Sequence, residues 1–387
     1  MFSDRTAWRL TDNAWAAAVG RRRSSGAPLL DLTESNPTRC GFDYSGAGLA
    51  ALSDPAGALY SPEPRGLGGA REAVAAYYAG HGRVVDPVSV VLTASTSEAY
   101  SYLFKLLADP GDAVLAPAPS YPLFEYLAGL DGVRLVDYPL RYDGAWSPDF
   151  PALEAALPDR ARALIVVHPH NPTGAFLKGD ELARLTGFCR AHNLALISDE
   201  VFLDYAYAAA PERAPSLAGD GGVLTFALSG LSKLAGLPQV KASWLTVGGP
   251  PDLRDEALAR LDVIADTYLS VSTPVQLALP ILLANGARLR TQILDRVITN
   301  RRLLDGLLAG PLPLHALPAE GGWYAALRLP ATLSEEAWAL ALLEDGVLVH
   351  PGYFFDLSGC FVVISLLPTP EVFAEGVRRL VARVVRG

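Results

Sequence analysis

Leu228-Ser229-Gly230-Leu231-Ser232-Lys233 places a lysine directly after a small, hydroxyl-rich turn, and Pro238-Gln239-Val240-Lys241 adds a second lysine eight positions later. A lysine that forms a Schiff base must lose its proton and reach a carbonyl carbon held in a fixed position. A tight turn with polar and cationic neighbours suits that task. Most lysines are plain surface residues, so Lys233 is interpreted as catalytic only because the rest of the chain supports it.

The composition is that of a well-packed globular protein. The chain has 387 residues, of which 50% are hydrophobic and 19% charged, and this length predicts about two domains. Its 32 basic and 41 acidic residues give a net charge of −9, which disfavours nucleic acid and anionic membranes as partners.

The three cysteines, Cys40, Cys189 and Cys360, have neither metal-ligand nor disulfide-framework spacing, so no metal site is predicted. The sequence contains no apolar signal segment and no run of about 18 apolar residues. These features together predict a cytoplasmic protein.

Short apolar runs alternate with helical patterns between about residues 89 and 248. Thr96 or Ser97 is predicted to cap a helix that begins at Glu98, and Asp180 to cap a helix that ends near Ala191. Strands are predicted at 90–93, 113–116, 164–167, 194–198, 223–227 and 243–247. This alternation predicts an α/β fold with a mostly parallel, doubly wound sheet.

The two ends of the chain are predicted to lie outside this sheet. A helix is expected at 8–19, a strand at 29–32, and a long helical region from about 250 to 310 that Pro274 and Pro280 break or bend. Further strands are expected at 321–327 and 361–365, and helices at 334–344 and 370–386. The predicted division is an N-terminal arm with part of the small domain at 1–45, a large cofactor-binding domain at 46–285, and a small C-terminal domain at 286–387.

Polar residues follow the predicted strands at positions that should converge. Ser95, Asn171, Asp199 and Lys233 each come shortly after the end of a strand. Ligands of doubly wound sheets bind beyond the carboxyl ends of the strands. We therefore expect these four side chains at one edge of the sheet.

Together these residues are interpreted as a site for pyridoxal 5′-phosphate. Lys233 would hold the aldehyde as an internal aldimine and then move the proton of the substrate carbon. A carboxylate at Asp199, about 4 Å from the ring nitrogen, would stabilise the protonated ring by roughly 4 kcal/mol at an effective dielectric constant near 20, or about three pKa units. The ring then remains an electron sink at neutral pH. A plain strand-end turn explains Asp199 and Glu200 equally well.

The other groups of the cofactor have further candidate partners. Asn171 is assigned to the phenolic oxygen and Tyr121 to the ring face, although an Asn-Pro turn and a core aromatic also explain these two residues. The phosphate is assigned to Ser95, Thr96 and Ser97, because the free N–H groups and dipole of a helix N-terminus bind anions. Capping alone also explains that cluster. Ser232 and Lys241 would complete the phosphate shell.

In this order and spacing, the motifs resemble those of the class I/II aminotransferases, the aspartate aminotransferase-like group of fold-type I pyridoxal phosphate enzymes. The resemblance covers nearly the whole chain and rests on Pro110-Gly111-Asp112, Pro119 to Tyr121, Asn171 to Gly174, Asp199-Glu200-Val201, Ser232-Lys233 and Gly321-Gly322-Trp323-Tyr324. It implies a large domain, a smaller α+β domain built from both chain ends, and ping-pong transfer of an amino group from an amino donor to a 2-oxo acid. It also implies a homodimer with shared active sites, in which Tyr60 reaches the phosphate of the neighbouring subunit.

Three positions near the cofactor depart from the family pattern. Phe202 stands where the family has a tyrosine bonded to the phenolic oxygen, and Gly230 where it has a serine. Lys241 replaces an arginine, so a point charge takes the place of a bidentate fork at the phosphate.

A fourth departure concerns the substrate. Val363 occupies the position of the arginine that holds the substrate carboxylate in the family. Two hypotheses follow: either Asn36 and Arg39 in the N-terminal arm hold the carboxylate, or the substrate is not an ordinary α-amino acid.

Two other functions remain open at this point. A C–S lyase, decarboxylase or racemase with the same cofactor would share its carbanion chemistry, so sequence separates these enzymes poorly from an aminotransferase. A regulator built on an aminotransferase-like domain would carry a DNA-binding module in front. The predicted large domain begins near residue 46 of an acidic chain, which disfavours that function.

Overall fold

The structure is a computed structural model that describes residues 1–8 and 10–387. The strands, in chain order, are β1 (Leu30–Asp31), β2 (Val90–Thr93), β3 (Ala113–Ala118), β4 (Arg134–Tyr142), β5 (Trp146–Pro148), β6 (Ala161–Val167), β7 (Ala195–Asp199), β8 (Thr225–Gly230), β9 (Ser243–Gly248), β10 (His315–Ala316), β11 (Tyr324–Arg328), β12 (Val347–Leu348), β13 (His350–Pro351) and β14 (Phe361–Ser365). The helices are α1 (Ala14–Ser24), α2 (Gly68–Gly80), α3 (Thr96–Leu107), α4 (Phe124–Leu130), α5 (Phe150–Ala156), α6 (Gly179–Ala191), α7 (Leu231–Leu234), α8 (Pro251–Tyr268), α9 (Thr273–Leu307), α10 (Glu335–Glu344) and α11 (Pro370–Arg386).

The large sheet contains eight strands in the order β2-β9-β8-β7-β6-β3-β4-β5. The pairings from β8 through β7, β6 and β3 to β4 are parallel. The pairings of β9 with β2 and β8, and of β5 with β4, are antiparallel. The prediction of an α/β fold with a mostly parallel sheet is therefore confirmed.

Both faces of this sheet are covered, as the continuous apolar runs predict. Leu164 of β6 packs in one cluster with Leu185 and Phe188 of α6. Its neighbour Ile165 belongs to the cluster on the opposite face, which includes Leu103 of α3. Because side chains alternate along a strand, a run such as 163–167 supplies core residues to both layers of helices.

The second sheet has four strands in the order β10-β11-β14-β13, all antiparallel. A separate parallel pairing joins β1 near the start of the chain to β12 near its end, with Leu30 opposite Val347. Phe373, Val377 and Leu380 of the amphipathic helix α11 are buried in the core that also contains Leu32. Residues from both chain ends thus pack together, and the domain boundaries at 45 and 285 stay a prediction.

The first helix differs from the sequence-based expectation of 8–19. Helix α1 begins at Ala14 and continues to Ser24, because the Asn13 side chain accepts a hydrogen bond from Ala16 N at 2.7 Å and caps it there. Arg9, which falls in the predicted helix, lies outside the described residues.

Two predicted caps are also wrong by one or two residues. Ser95, not Thr96 or Ser97, is the cap of α3, since its hydroxyl oxygen accepts from Glu98 N at 3.1 Å. Asp180 lies inside the first turn of α6, which Lys178 precedes. Both corrections reflect the ambiguity of neighbouring capping residues in a sequence.

The helical region between 250 and 310 breaks at 269–272, where Leu269 adopts a left-handed conformation with φ of 45°. Pro274 lies in the first turn of α9, whereas Pro280 lies inside α9 without ending it. Among the described residues, no single helix is long and apolar enough to cross a membrane. The pair α8 and α9, bent by 119°, meets that test of length and composition only when the two are taken together.

Candidate active site

One cavity of about 390 Å³ lies at the carboxyl ends of β6, β7 and β8, where the sequence predicts a ligand site. Nine of the predicted site residues line it: Ser95, Thr96, Ser97, Tyr121, Asn171, Asp199, Ser232, Lys233 and Lys241. Tyr60, Asn36 and Arg39 do not line it. The sheet therefore brings together side chains that are as far apart in the chain as Ser95 and Lys241.

Lys233 projects from the short helix α7, which follows β8 directly. Its Nζ lies 5.0 Å from the ring centroid of Trp323 and 5.7 Å from that of Phe202. Burial lowers the pKa of Lys233 to about 8, while the charge of Asp199 acts in the opposite direction. A larger share of this amine is neutral near pH 7 than for an ordinary lysine, as a nucleophilic lysine requires.

The main chain of this lysine is also held in place. The hydroxyl of Tyr205 donates to the carbonyl oxygen of Lys233 at 2.6 Å. Tyr205 is fully buried and packs edge-on against Trp323, with 5.1 Å between the ring centroids. This contact fixes the turn that carries the amine.

Asp199 is the last residue of β7 and is 8% exposed. Its Oδ1 accepts from Val201 N at 3.2 Å, and its Oδ2 accepts from the Tyr100 hydroxyl at 3.0 Å. Burial raises the pKa of Asp199 to about 6, although both hydrogen bonds and the charge of Lys233 favour the ionised form. An ionised Asp199 can therefore stabilise a cationic group in the cavity.

The N-terminus of α3 provides the anion-binding end of the cavity. The Ser95 side chain and carbonyl accept from Glu98 N and Ala99 N, so Thr96 and Ser97 keep N–H groups for a ligand. Lys241 adds a positive charge from a residue with φ of 57°. Within residues 1–8 and 10–387, no carboxylate forms an ion pair with Lys241.

Steric contacts explain why position 230 is a glycine and not the serine of the family pattern. A Cβ at this position would lie 2.1 Å from Ser243 Oγ and 3.0 Å from the carbonyl oxygen of Ala242. The serine that the family pattern predicts at this position therefore does not fit. Ser243 is the cross-strand neighbour of Gly230 and presents a hydroxyl to the same cavity.

Asn171 and Tyr121 lie in the same cavity, as predicted. Asn171 is 8% exposed, and its Oδ1 has no hydrogen-bond partner in the described chain. Tyr121 contacts Phe124 edge-on, with ring centroids 5.8 Å apart, and lines the wall. The unpaired amide oxygen marks a polar side chain without a partner, and the amide N–H of the same residue can donate to the phenolic oxygen. An amide, an amine, a carboxylate and an anion-binding turn in one cavity are the set of partners that pyridoxal 5′-phosphate needs, so the residues present fit this cofactor.

Tyr60 lies elsewhere. It is 69% exposed and lines a separate cavity of about 250 Å³ with the segments 61–64 and 269–273. Tyr60 therefore does not line the cavity of Lys233.

The two candidate carboxylate ligands also lie outside this cavity. The Asn36 side chain accepts from Thr38 N at 3.1 Å and from Thr38 Oγ1 at 2.8 Å, so it caps a short 3-10 helix at 37–39. Arg39 is exposed, and among the described residues it has no ion-pair partner. Ser35, one residue before Asn36, lines the cavity instead.

Val363 is fully buried in an apolar cluster with Phe355, Phe361, Leu317 and Leu357. It lies directly opposite Ala326 on one side and His350 on the other. Lys233 and Lys241 are the only cationic side chains that this chain's described residues contribute to the cavity lining.

Sequence reasoning missed several residues of the cavity. Tyr100 has a sequence signal, since it follows Thr96 and Ser97 by four and three positions and so shares their face of α3. Tyr324 lies in the Gly-Gly-Trp-Tyr motif and lines the cavity, where its side chain forms a hydrogen bond with Ser35. Ser35 has no such signal, because only the packing of the N-terminal arm brings it to the site.

Fold and site together define an α/β enzyme that pairs a lysine amine with a carboxylate beside an anion-binding turn. The model of the family "Aminotransferase class I and II" matches residues 47–380. The chain belongs to this pyridoxal phosphate-dependent family.

Related proteins agree with this assignment. Alanine aminotransferase of Mycobacterium bovis is 30% identical over 380 residues, which cover 94% of this chain and 87% of that protein. Valine–pyruvate aminotransferase of Mycobacterium tuberculosis is 29% identical over 376 residues, which cover 95% of this chain and 94% of that protein. The structure of alanine aminotransferase from Pyrococcus furiosus superimposes with a TM-score of 0.89 at 23% identity, with 100% of both chains covered, and this shows the shared fold.

The predicted family, the fold-type I fold and the prediction of a pyridoxal phosphate-dependent aminotransferase are thus confirmed. The relatives named above are aminotransferases, and none of them favours a lyase, decarboxylase or racemase. The roles of the individual site residues stay predictions.

Proposed function

We propose that this aminotransferase binds pyridoxal 5′-phosphate in the cavity of Lys233 and Asp199 and moves an amino group between an amino donor and a 2-oxo acid by a ping-pong mechanism. The observation that carries the proposal is the convergence of both side chains on one cavity of about 390 Å³. When bound, the cofactor supplies an aldehyde and an electron-withdrawing ring.

The chain's own residues would each contribute one function. The Lys233 amine holds the cofactor covalently and then moves a proton at the substrate carbon. Asp199 keeps a positive charge at the ring nitrogen, and the N–H groups of Thr96 and Ser97 hold the phosphate with Ser232 and Lys241. Asn171 and Tyr121 orient the ring.

A two-stage assay tests the reaction. With an amino donor alone, the loaded enzyme should release about one keto acid per site, and a 2-oxo acid added afterwards should be aminated in equal amount. Because similar proteins are named for alanine, valine and pyruvate, these compounds form the first panel. Release of ammonia, hydrogen sulfide or carbon dioxide without amination of the acceptor would instead indicate a lyase or decarboxylase.

The substrate carboxylate is proposed to contact Arg39, with Asn36 beside it, because Val363 provides no charge. Although neither residue lines the cavity, Ser35 of the same arm does, so the arm reaches the cavity. Arg39→Ala should raise the KM for the amino donor about tenfold, which corresponds to the free energy of one hydrogen bond to a charged group. It should leave the cofactor's absorbance intact. The matched control is Arg302→Ala, since Arg302 is an exposed arginine on α9, far along the chain from the arm. An unchanged KM in Arg39→Ala removes Arg39 from the site and favours a substrate without an α-carboxylate.

The enzyme is further proposed to be a homodimer with shared active sites, in which Tyr60 of the partner subunit completes the phosphate shell. The high exposure of Tyr60 and its distance from its own subunit's cavity support this arrangement. Tyr60→Phe should weaken cofactor binding about tenfold, since one hydrogen bond to a charged group is lost. A monomer in analytical ultracentrifugation, or unchanged cofactor affinity, would contradict the shared site.

We also propose a cytoplasmic enzyme that acts on small molecules, without nucleic acid or membrane partners. The free thiols of Cys40, Cys189 and Cys360 support a reducing compartment. Localisation of a tagged protein by cell fractionation tests this, and recovery outside the cytoplasm would contradict it.

A further inference from the structure

Tyr100 is a buried phenol whose hydroxyl faces the candidate active site. It is 2% exposed, and its ring is held edge-on by Phe124 at 5.2 Å and packs against Phe104 at 5.9 Å between centroids. Its hydroxyl donates to Asp199 Oδ2 at 3.0 Å. Burial and the neighbouring carboxylate raise the pKa of Tyr100 well above its ordinary value, so the hydroxyl stays protonated and remains a donor.

We infer that Tyr100 is a positioning residue that orients the Asp199 carboxylate towards the ligand in the cavity. The inference rests on the proposed function, since it assigns Asp199 to the ring nitrogen. It adds a residue that acts on the cofactor through Asp199.

The geometry of the carboxylate supports this role. Val201 N donates to Oδ1 and Tyr100 donates to Oδ2, so each oxygen accepts one bond from a fixed donor. The terminal torsion of an aspartate is soft, and two donors from different elements fix the plane of its carboxylate. Because a carboxylate accepts about four hydrogen bonds, both oxygens keep capacity for a donor in the cavity.

Helix α3 also links the two ends of the site. Thr96 and Ser97 form its anion-binding N-terminus, and Tyr100 lies about one turn further along, a rise of about 6 Å from Thr96. The same rigid helix therefore sets the distance between the phosphate-binding turn and the donor that orients Asp199. A ligand that contacts both the phosphate-binding turn and Asp199 therefore finds the carboxylate already at a fixed distance from that turn.

The hydrogen bond also has an electrostatic effect. A donor to a buried carboxylate favours its ionised form, which burial alone disfavours. Removing the hydroxyl should therefore leave Asp199 both less well oriented and less fully ionised.

Tyr100→Phe keeps the ring and removes only the hydroxyl. Its effect is measured as the dissociation constant of pyridoxal 5′-phosphate from the apoprotein by equilibrium dialysis. The matched control is Tyr138→Phe, since Tyr138 is 1% exposed and its hydroxyl donates to the Ile165 carbonyl at 2.9 Å, outside the cavity lining. We expect Tyr100→Phe to raise the dissociation constant about tenfold, which corresponds to the lower end of the free-energy range for a hydrogen bond to a charged group. Tyr138→Phe should leave the dissociation constant unchanged.

A double-mutant cycle with Asp199→Ala separates positioning from general damage to the fold. If Tyr100 acts through Asp199, then Tyr100→Phe should not weaken binding further once the carboxylate is absent. Asp199→Asn replaces Asp199→Ala if the alanine variant does not fold. Equal losses in both backgrounds, or wild-type affinity in Tyr100→Phe, would overturn the inference. Wild-type protein that binds no pyridoxal 5′-phosphate would instead overturn the proposed function, and the inference with it.

Discussion

Lys233→Ala should abolish the absorbance band of the internal aldimine and lower turnover by about a thousandfold or more, since general acid–base catalysis alone contributes factors of that order. The expectation follows from the position of this amine, which lies on α7 directly after β8 and lines the same cavity as Asp199. Burial lowers its pKa to about 8, so about one-tenth of the amine is neutral at pH 7.

The control is Lys105→Ala. Lys105 pairs with Asp131 at the surface and lies outside the cavity lining, so its loss should leave absorbance and turnover unchanged. A small primary amine added to Lys233→Ala should restore part of the turnover, because it can move the proton that Lys233 moves. Retention of both the absorbance and the turnover in Lys233→Ala would show that another group holds the cofactor.

The sequence predicts the central part of this site because strands that are buried on both faces can be recognised from the sequence alone. Strands such as 164–167 are buried on both faces, so they appear as continuous apolar runs that end at a polar residue. Asp199 ends β7, and Lys233 follows β8 after two residues. The two strands are parallel neighbours, so their carboxyl ends meet at the same edge of the sheet.

The sequence does not predict features that depend on contacts between distant segments. Ser243 enters the site because it lies opposite Gly230 in an antiparallel pairing, and a pattern of apolar runs does not give the direction of β9. Ser35 enters through the packing of the N-terminal arm. The start of α1 at Ala14 depends on a single cap at Asn13, a weaker signal than helical periodicity.

Asp199→Asn should lower turnover by about a thousandfold while preserving the fold. The neutral amide has nearly the same shape as the carboxylate but loses the charge that stabilises a protonated ring nitrogen by roughly 4 kcal/mol, or about three pKa units. Asp199 is buried and accepts bonds from Val201 N and the Tyr100 hydroxyl, and the amide oxygen can keep one of them. The measurement is single-turnover keto acid release from the loaded variant, compared with the wild type.

Glu200→Gln is a demanding control, because Glu200 is the adjacent residue and is also a buried carboxylate. Its oxygens accept from Ser216 Oγ at 2.6 Å and Leu217 N at 2.7 Å, and burial raises its pKa to about 7. It lies outside the cavity lining. Replacing one of its acceptor oxygens by an NH2 group should therefore affect thermal stability more than turnover. Equal losses of turnover in the two variants would mean that Asp199 acts through the fold, whereas a loss confined to Asp199→Asn assigns the charge at the ring nitrogen to this residue.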